Sequence, residues 1–261
     1  MEQENTHRIA HLFTRRKDVL SIYFTAGFPA LGDTMRVIKA LVKAGVDMIE
    51  VGMPFSDPLA DGPTIQYSNQ RALENGMTLR LLFEQLQHVR QCTEIPLLLM
   101  GYLNPVVQYG VENFCYDAHQ IGIDGLILPD LPMYEYLSEY QPIFDRYNLA
   151  NIFLITPQTA QDRIRKIDAL SHKGFIYMVS ASSTTGAKDG FTDMQRSYFQ
   201  RIVAMNLKSP KLIGFGIANR ETFQEACRYA EGGIIGSAFI RLLSQSRDLE
   251  GDIYHFVTSL R

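Results

Sequence analysis

Short apolar runs alternate with longer amphipathic segments along the whole chain. Eight of these runs are nearly continuous in apolar residues instead of alternating with polar ones, which is typical of parallel strands covered on both faces. The runs read VLSIYFT, MIEV, PLLLM, GLILPD, NIFLIT, FIYMVS, KLIGFG and GIIGS. The pattern therefore predicts a parallel sheet with helices packed against it.

The segments between the runs have the spacing of helices with one apolar face. They predict helices over residues 33–44, 79–91, 111–121, 133–147, 160–170, 194–205, 220–230 and 239–260. Pro142 lies inside the fourth of them and predicts a break or kink, because proline lacks the N–H that a helix interior needs. A further amphipathic segment, residues 3–16, precedes the first strand and predicts an added helix.

Eight strands that each precede a helix favour a (β/α)₈ barrel, a TIM barrel, in a single domain over residues 1–261. Eight units in 261 residues average about 33 residues each, close to the size of about 30 for a βαβ module. The added helix is expected to cover the bottom of the barrel. A doubly wound open sheet tolerates the same alternation but normally has fewer strands.

The composition narrows the class of function. With 46% hydrophobic residues the chain can form a large core, and its 25 basic and 28 acidic residues nearly cancel without any block of Lys or Arg. Nucleic-acid binding is therefore disfavoured, and a small-molecule site is favoured. The charged N-terminal segment has no apolar signal region, and no apolar run is long enough to span a membrane, so we expect a cytoplasmic protein.

The metal-binding and redox residues form no known pattern. Cys92, Cys115 and Cys227 are widely spaced and predict neither a disulfide framework nor a zinc site. The pair His7 and His11 has helical spacing but no third ligand, and GFGIAN lacks the last glycine of a dinucleotide motif. We therefore expect no metal and no nicotinamide cofactor.

Polar residues at the C-terminal ends of the strands are the candidates for chemistry, because barrel active sites lie at that face. Glu50 interrupts the second apolar run, and burial there would raise its pKa toward the range of a general acid or base. A buried ion pair with Arg or Lys is the alternative reading of Glu50. Asp61 follows in FSDPLADGP, where the prolines restrict the loop, although Asp-Gly is also common in turns.

Glycines at the ends of the last strands predict a phosphate site. Gly216 ends the seventh strand, and Gly236 and Ser237 lead from the eighth strand into a helix. Backbone N–H groups at a helix start bind anions, and the loops after strands seven and eight often hold phosphate in barrels. A phosphorylated substrate and two carboxylates together suggest lyase or isomerase chemistry.

The stretch IEVGMPFSDPLADGPTIQ resembles the signature of the tryptophan synthase alpha chain family. The resemblance continues through YFTAGFP, LLLMGYLNPVVQYG, GIDGLILPDLP, TTG, GFGI and IIGSAFI. It implies reversible cleavage of indole-3-glycerol phosphate to indole and glyceraldehyde 3-phosphate. It also implies a beta-chain partner in an alpha2-beta2 complex, in which only the beta chain carries pyridoxal phosphate. The segments FSDPLADGP and NPVVQYG are expected to form part of the contact with the beta chain.

The resemblance assigns roles to individual residues. Glu50 matches the family's general acid and base, and Asp61 matches the aspartate that assists at the indole nitrogen. The substrate-binding positions that it implies are Tyr177, Thr185, Gly186, Gly216, Gly236 and Ser237, with Phe24, Tyr23 and Leu128 as walls for the indole ring. Ser183 stands where many members have glycine, which leaves the closing rate of that loop open.

Three alternatives remain at this point. A related phosphate-binding barrel is disfavoured, since indole-glycerol-phosphate synthase would need a lysine at a strand end, and Lys211 is at the beginning of its strand. A standalone lyase of the same family would be active without a partner. An inactive homologue kept for binding would have no need of both carboxylates.

Overall fold

The computed structural model describes residues 7–180 and 190–261. In this part of the chain, nine strand segments form one parallel sheet in the order β5-β4-β3-β2-β1-β9-β8-β7-β6. The segments are β1 (Val19–Thr25), β2 (Met48–Gly52), β3 (Leu97–Met100), β4 (Gly125–Ile127), β5 (Ala150–Asn151), β6 (Phe153–Ile155), β7 (Ile176–Val179), β8 (Lys211–Gly214) and β9 (Gly232–Ile235).

Segments β5 and β6 are two halves of one strand, separated only by Ile152. The first half pairs with β4 and the second half with β7. The N–H of Ile152 donates to the carbonyl of Leu126 at 2.9 Å, so the interruption does not open the sheet. The nine segments therefore make the eight strands of a closed ring, and the predicted (β/α)₈ barrel is confirmed.

Thirteen α-helices surround the barrel in the described ranges. They are α1 (Arg8–Arg15), α2 (Thr34–Ala44), α3 (Pro63–Glu74), α4 (Leu79–Leu86), α5 (Leu103–Tyr109), α6 (Val111–Ile121), α7 (Met133–Glu135), α8 (Gln141–Arg146), α9 (Gln161–Leu170), α10 (Asp193–Ala204), α11 (Arg220–Cys227), α12 (Ser237–Gln245) and α13 (Leu249–Leu260). Short 3₁₀ turns occur at Leu31–Asp33 and Val89–Gln91, and a π-helix at Tyr136–Tyr140.

Two helices were not predicted from the sequence, α3 and α5. The buried face of α3 includes Ser68 and Asn69, and these polar residues hide the apolar period. Pro105 in α5 reads as a helix breaker, yet it falls in the first turn, where no intrahelical N–H bond is needed. Both helices follow strands that end at the active-site face.

The predicted helix over residues 239–260 is wrong as one element. It is divided into α12 and α13 at Ser246, whose backbone is extended. The Ser246 hydroxyl donates to Asp252 at 2.7 Å, and the Asp248 side chain accepts from the N–H of Gly251 to cap α13. Around Pro142 the backbone stays helical, and the chain passes from the π-helix at Tyr136–Tyr140 directly into α8, with the proline in its first turn.

The N-terminal helix α1 closes the bottom of the barrel, as expected. Its Ile9 is fully buried in one cluster with Val19 and Met48, which begin two of the strands. Arg8 of the same helix pairs with the buried Asp124 at 3.1 Å. The opposite end of the barrel, where the strands terminate, is left for the site.

None of the helices in residues 7–180 and 190–261 combines the length and the apolar character that crossing a membrane requires.

Candidate active site

Glu50 lies in the middle of β2 and is completely buried. The Ser21 hydroxyl on β1 donates to its Oε1 at 2.8 Å, whereas Oε2 has no hydrogen-bond partner among the described residues. Burial raises the pKa of Glu50 to about 8, and the hydrogen bond from Ser21 acts in the opposite direction. Glu50 is therefore a buried carboxyl group that titrates near neutral pH.

The alternative reading of Glu50 as half of a buried ion pair is not supported. Within the described ranges, the ion pairs of Lys and Arg are made with other carboxylates, and Ser21 is the group that bonds to Glu50. A buried carboxyl without a cationic partner is kept neutral by desolvation. This environment suits proton transfer better than structural support.

Asp61 is held by the loop that follows β2. Its N–H donates to the carbonyl of Pro58 at 3.0 Å, and its own carbonyl accepts from the side chain of Gln66 at 2.9 Å. The hydrogen-bonded turn thus runs from Pro58 to Asp61 and not over Ala-Asp-Gly, and Asp61 at its end is partly buried. Burial raises the pKa of Asp61 to about 6, opposed by a hydrogen bond from Tyr102.

Tyr102 is a site residue that the sequence did not single out. Its hydroxyl donates to Asp61 Oδ2 at 3.2 Å and accepts from the N–H of Ala60 at 2.9 Å. Its ring packs against Phe55, with centroids 5.2 Å apart. The available signal was its place directly after β3, at the same barrel face as Asp61.

Asp130, another polar residue after a strand, has a structural task. Its two carboxylate oxygens both accept from the N–H of Leu103, at 2.9 and 3.0 Å. Leu103 is the first residue of α5, so Asp130 satisfies a free N–H group at a helix start. It is therefore a capping residue of the helix that follows Tyr102.

Tyr23 and Tyr177 place their rings beside the carboxylates. Each ring lies against a strand glycine, Gly52 for Tyr23 and Gly214 for Tyr177, in positions where a Cβ atom would collide with the phenol. Burial raises the pKa of both phenols above the usual range. The nearby carboxylates add to the effect, Asp61 most for Tyr23 and Glu50 most for Tyr177.

A pocket opens between the ends of β1, β2, β3 and β4. Its walls include four polar side chains, which are two tyrosines, one asparagine and the carboxylate of Asp61. The lining residues are Tyr23, Met53, Asp61, Asn69, Met100, Gly101, Tyr102 and Pro129.

The structure does not bring Phe24 or Leu128 to this pocket. Side chains alternate along a strand, so Phe24 faces away from the side of β1 that carries Ser21 and Tyr23. Leu128 is buried, and it is not among the residues that line the pocket. The wall that β1 contributes to the pocket is Tyr23.

The turns that follow β8 and β9 contain glycine and are partly exposed. Gly216 has a left-handed φ of 78°, which a residue with a side chain rarely adopts. The Ser180 hydroxyl donates to the carbonyl of Phe215 at 2.7 Å and ties this turn to β7. Gly236 and Ser237 are partly exposed at the start of α12, where no described side chain caps the helix.

Three predicted residues of the loop after β7, Ser183, Thr185 and Gly186, lie outside the described residues. In the described part of the chain, no group of three or more His, Cys, Asp or Glu residues is arranged to hold a metal ion.

The fold and the site together define a class: a (β/α)₈ barrel enzyme with one carboxyl group buried on a strand and a second on the loop that follows that strand. A family model described as tryptophan synthase alpha chain matches residues 9–258. The chain belongs to the tryptophan synthase alpha chain family.

Relatives and solved structures agree with this membership. The chain is 56% identical over 255 residues to the tryptophan synthase alpha chain of Flavobacterium johnsoniae, covering 98% of this chain and 100% of the relative. It is 52% identical over 256 residues to that of Bacteroides thetaiotaomicron, with the same coverage.

Among structures, tryptophan synthase of Mycobacterium tuberculosis gives a TM-score of 0.88 at 29% identity, covering 98% and 97% of the two chains. The tryptophan synthase alpha chain of Legionella pneumophila gives a TM-score of 0.87 at 31% identity, and the match covers 97% of this chain and 95% of that one.

As a member of this family, the chain is a carbon–carbon lyase of tryptophan biosynthesis. It converts indole-3-glycerol phosphate to indole and glyceraldehyde 3-phosphate. The family also implies a beta-chain partner.

Proposed function

We propose that Glu50 and Asp61 divide the proton chemistry of this cleavage between them. The observation that carries the proposal is the separation of their pKa values, about 8 for Glu50 and about 6 for Asp61. At neutral pH, Glu50 then holds its proton and Asp61 is ionised. Neighbouring carboxyl groups whose environments separate their pKa values commonly take the acid and base tasks of a site.

Each state suits one demand of the reaction. Breaking the bond between indole carbon 3 and the glycerol chain requires a proton at carbon 3 and removal of a proton from the glycerol hydroxyl. Neutral Glu50 supplies the first proton, and its carboxylate then accepts the second. Positive charge develops at the ring nitrogen, where ionised Asp61 stabilises it.

We propose that the phosphate group binds after β8 and β9, on Gly216, Gly236 and Ser237. The free N–H groups and the positive end of α12 favour an anion there. Thr185 and Gly186 are proposed to complete this side of the site. Tyr177 and Tyr23 flank the space between the phosphate side and the two carboxylates.

A charge placed at Gly236 tests the phosphate site. A Cβ atom there meets only ordinary contacts, the nearest being Tyr23 Cδ1 at 3.4 Å, so a side chain can be accommodated. Gly236→Asp should weaken binding of glycerol 3-phosphate by about tenfold or more, equal to about 1.4 kcal/mol, because like charges meet at the helix start. Binding is measured by calorimetry.

Gly236→Asn is the matched control, since it has the same shape without the charge. It should bind glycerol 3-phosphate more tightly than Gly236→Asp. Equal affinities for the two variants would show that the phosphate does not lie at this helix start.

We propose that the beta chain binds the end of the barrel where the strands terminate, in an alpha2-beta2 complex located in the cytoplasm. Leu59, in the loop that carries Asp61, is 91% exposed. Val107 on α5 and Tyr134 on α7 are also exposed and follow the next two strands. Exposed apolar residues at one face favour a protein contact.

In this proposal the alpha chain acts as a single domain without a cofactor of its own, and pyridoxal phosphate is bound only by the beta chain. Because Leu59 and Asp61 share one short loop, contact with the partner would also order the catalytic carboxylate. Binding of the beta chain is then expected to change turnover by the alpha chain.

Leu59→Asp should weaken the response to the beta chain while leaving turnover by the isolated chain within about twofold of the unmodified protein. A buried apolar anchor at an interface commonly contributes more than 1 kcal/mol, so about tenfold more beta chain should be needed for half-maximal change. The measurement is indole production against beta-chain concentration.

Val203→Asp is the control, because Val203 is 46% exposed on α10, a helix between β7 and β8. It should respond to the beta chain like the unmodified protein. An unmodified chain whose turnover does not change with the beta chain would contradict the coupling and indicate a standalone lyase.

A further inference from the structure

We propose that Ser21 is a positioning residue that gives the two carboxyl oxygens of Glu50 different tasks. This inference rests on the proposed role of Glu50 and adds a residue that sequence analysis did not single out. Ser21 is fully buried on β1, and its hydroxyl donates to Glu50 Oε1 at 2.8 Å. It would hold Oε1 and leave Oε2 to the substrate.

The contact between the two side chains is enforced by the sheet. Strands β1 and β2 are parallel neighbours, with Tyr23 opposite Glu50 and Ser21 opposite Met48. Side-chain alternation puts Ser21, Tyr23, Met48 and Glu50 on the interior face. Among the described residues, Ser21 Oγ has no hydrogen-bond partner other than Glu50, so the hydroxyl is committed to this carboxyl group.

The unpaired oxygen is the second observation. Oε2 of Glu50 is buried and has no partner in the described part of the chain. A buried acceptor without a hydrogen bond is costly in free energy, and functional sites are where such groups are retained. The reacting part of the substrate can supply the missing partner.

The hydrogen bond also decides where the proton of neutral Glu50 resides. Oε1 already accepts the Ser21 hydroxyl hydrogen, so the acid proton is carried by Oε2. The O–H donor of the acid is therefore the oxygen that remains free. Without Ser21, the carboxyl group could rotate and present either oxygen.

In the cleavage step, the O–H bond at Oε2 breaks, and its proton forms a C–H bond at indole carbon 3. The electron pair stays on the carboxylate, where the Ser21 hydroxyl stabilises the new charge. Oε2 then accepts the proton of the glycerol hydroxyl as the aldehyde C=O forms. The electrons of the broken C–C bond return to the indole ring, and Glu50 ends neutral.

The test is the pH profile of kcat/KM for Ser21→Ala. Activity falls at high pH as Glu50 loses its proton, and this alkaline limb should move to higher pH by about one unit. The reason is that a hydrogen bond to a charged group favours the ionised form by about this amount. We expect kcat to fall about tenfold or more, with KM changed less than about threefold. Loss of packing alone would not move the limb.

Two further variants keep the test decisive if Ser21→Ala folds poorly. Ser21→Cys keeps the volume but donates weakly, and it should shift the limb in the same direction. Ser21→Thr retains the hydroxyl and should restore the original limb. The control is Ser171→Ala, which removes a buried hydroxyl that donates to the carbonyl of Ile167 at 2.8 Å. The pH profile of this variant should match that of the unmodified chain.

The combination with Glu50→Gln separates this inference from the proposed function. If Ser21 acts through Glu50, the double variant should be no slower than Glu50→Gln alone. An inactive Glu50→Gln together with an unshifted Ser21→Ala profile would overturn the role of Ser21 and leave that of Glu50 intact. An active Glu50→Gln would overturn both.

Discussion

Glu50→Gln should slow indole release from indole-3-glycerol phosphate by about 10³-fold or more, since general acid–base catalysis contributes about 10²–10⁴-fold. Glutamine has nearly the same shape and can still accept the Ser21 hydrogen bond, but it cannot release and regain a proton. Binding of glycerol 3-phosphate should stay within about twofold, because Glu50 is on β2 and the proposed phosphate groups follow two other strands, β8 and β9. Steady-state kinetics and calorimetry check the two parts.

The stability of Glu50→Gln is part of the same prediction. At neutral pH, the Glu50 carboxyl is already mostly neutral, since burial raises its pKa to about 8. Exchanging a neutral acid for a neutral amide should therefore change the midpoint of thermal unfolding by only a few degrees. A large loss of stability would mean that Glu50 is mainly a structural residue.

Glu94→Gln is the matched control. Glu94 is exposed, with 77% of its side chain accessible, and it pairs with Arg8 at the bottom of the barrel. The same substitution there should leave kcat and KM unchanged. Equal activity of Glu50→Gln and Glu94→Gln would remove Glu50 from the mechanism.

The position of Glu50 could be predicted because a single charged residue interrupted an apolar strand. Its partner could not, because Ser21 lies 29 residues earlier and the contact depends on the register between two strands. For the same reason the sequence could not tell which of Tyr23 and Phe24 lines the pocket, and in the structure it is Tyr23. A shift of one residue exchanges the two faces of a strand, and only the paired strands show which face is inside.

The fold was largely predictable because covered parallel strands have a simple signal, a continuous apolar run. The helices α3 and α5 were missed because their local sequences, with buried polar residues in one and Pro105 in the other, contradict the final structure. Both follow strand ends at the active-site face, where requirements of the site compete with local preference. The departures from pattern thus mark the functional end of the barrel.

The difference between the two carboxyl groups follows from their positions. Glu50 is within a strand and surrounded by the barrel interior, so desolvation dominates and the neutral form is favoured. Asp61 is on a loop, partly exposed, and receives a hydrogen bond from Tyr102, which retains more of the ionised form. One strand and the loop after it therefore provide both an acid and an anion.

Asp61→Asn should reduce kcat/KM by about 10²-fold, because losing one preorganised electrostatic group commonly costs about 10²–10³-fold. Asparagine keeps the shape of the side chain but has no charge to stabilise the indole nitrogen as it becomes positive. The loss should be in kcat more than in KM, since the charge develops only during the reaction. Asp162→Asn, at an exposed position in the first turn of α9, is the matched control and should leave both constants unchanged.

The pH profile gives the second measurement on Asp61. Its pKa is raised to about 6, so the ionised form that the reaction needs is present above pH 6 and is lost as the pH falls through this value. The unmodified chain should therefore lose kcat/KM on the acid side with a midpoint near pH 6, and Asp61→Asn should lack that limb. If the limb persisted in Asp61→Asn, another group would be its source, and the charge at the ring nitrogen would have to be stabilised elsewhere in the site.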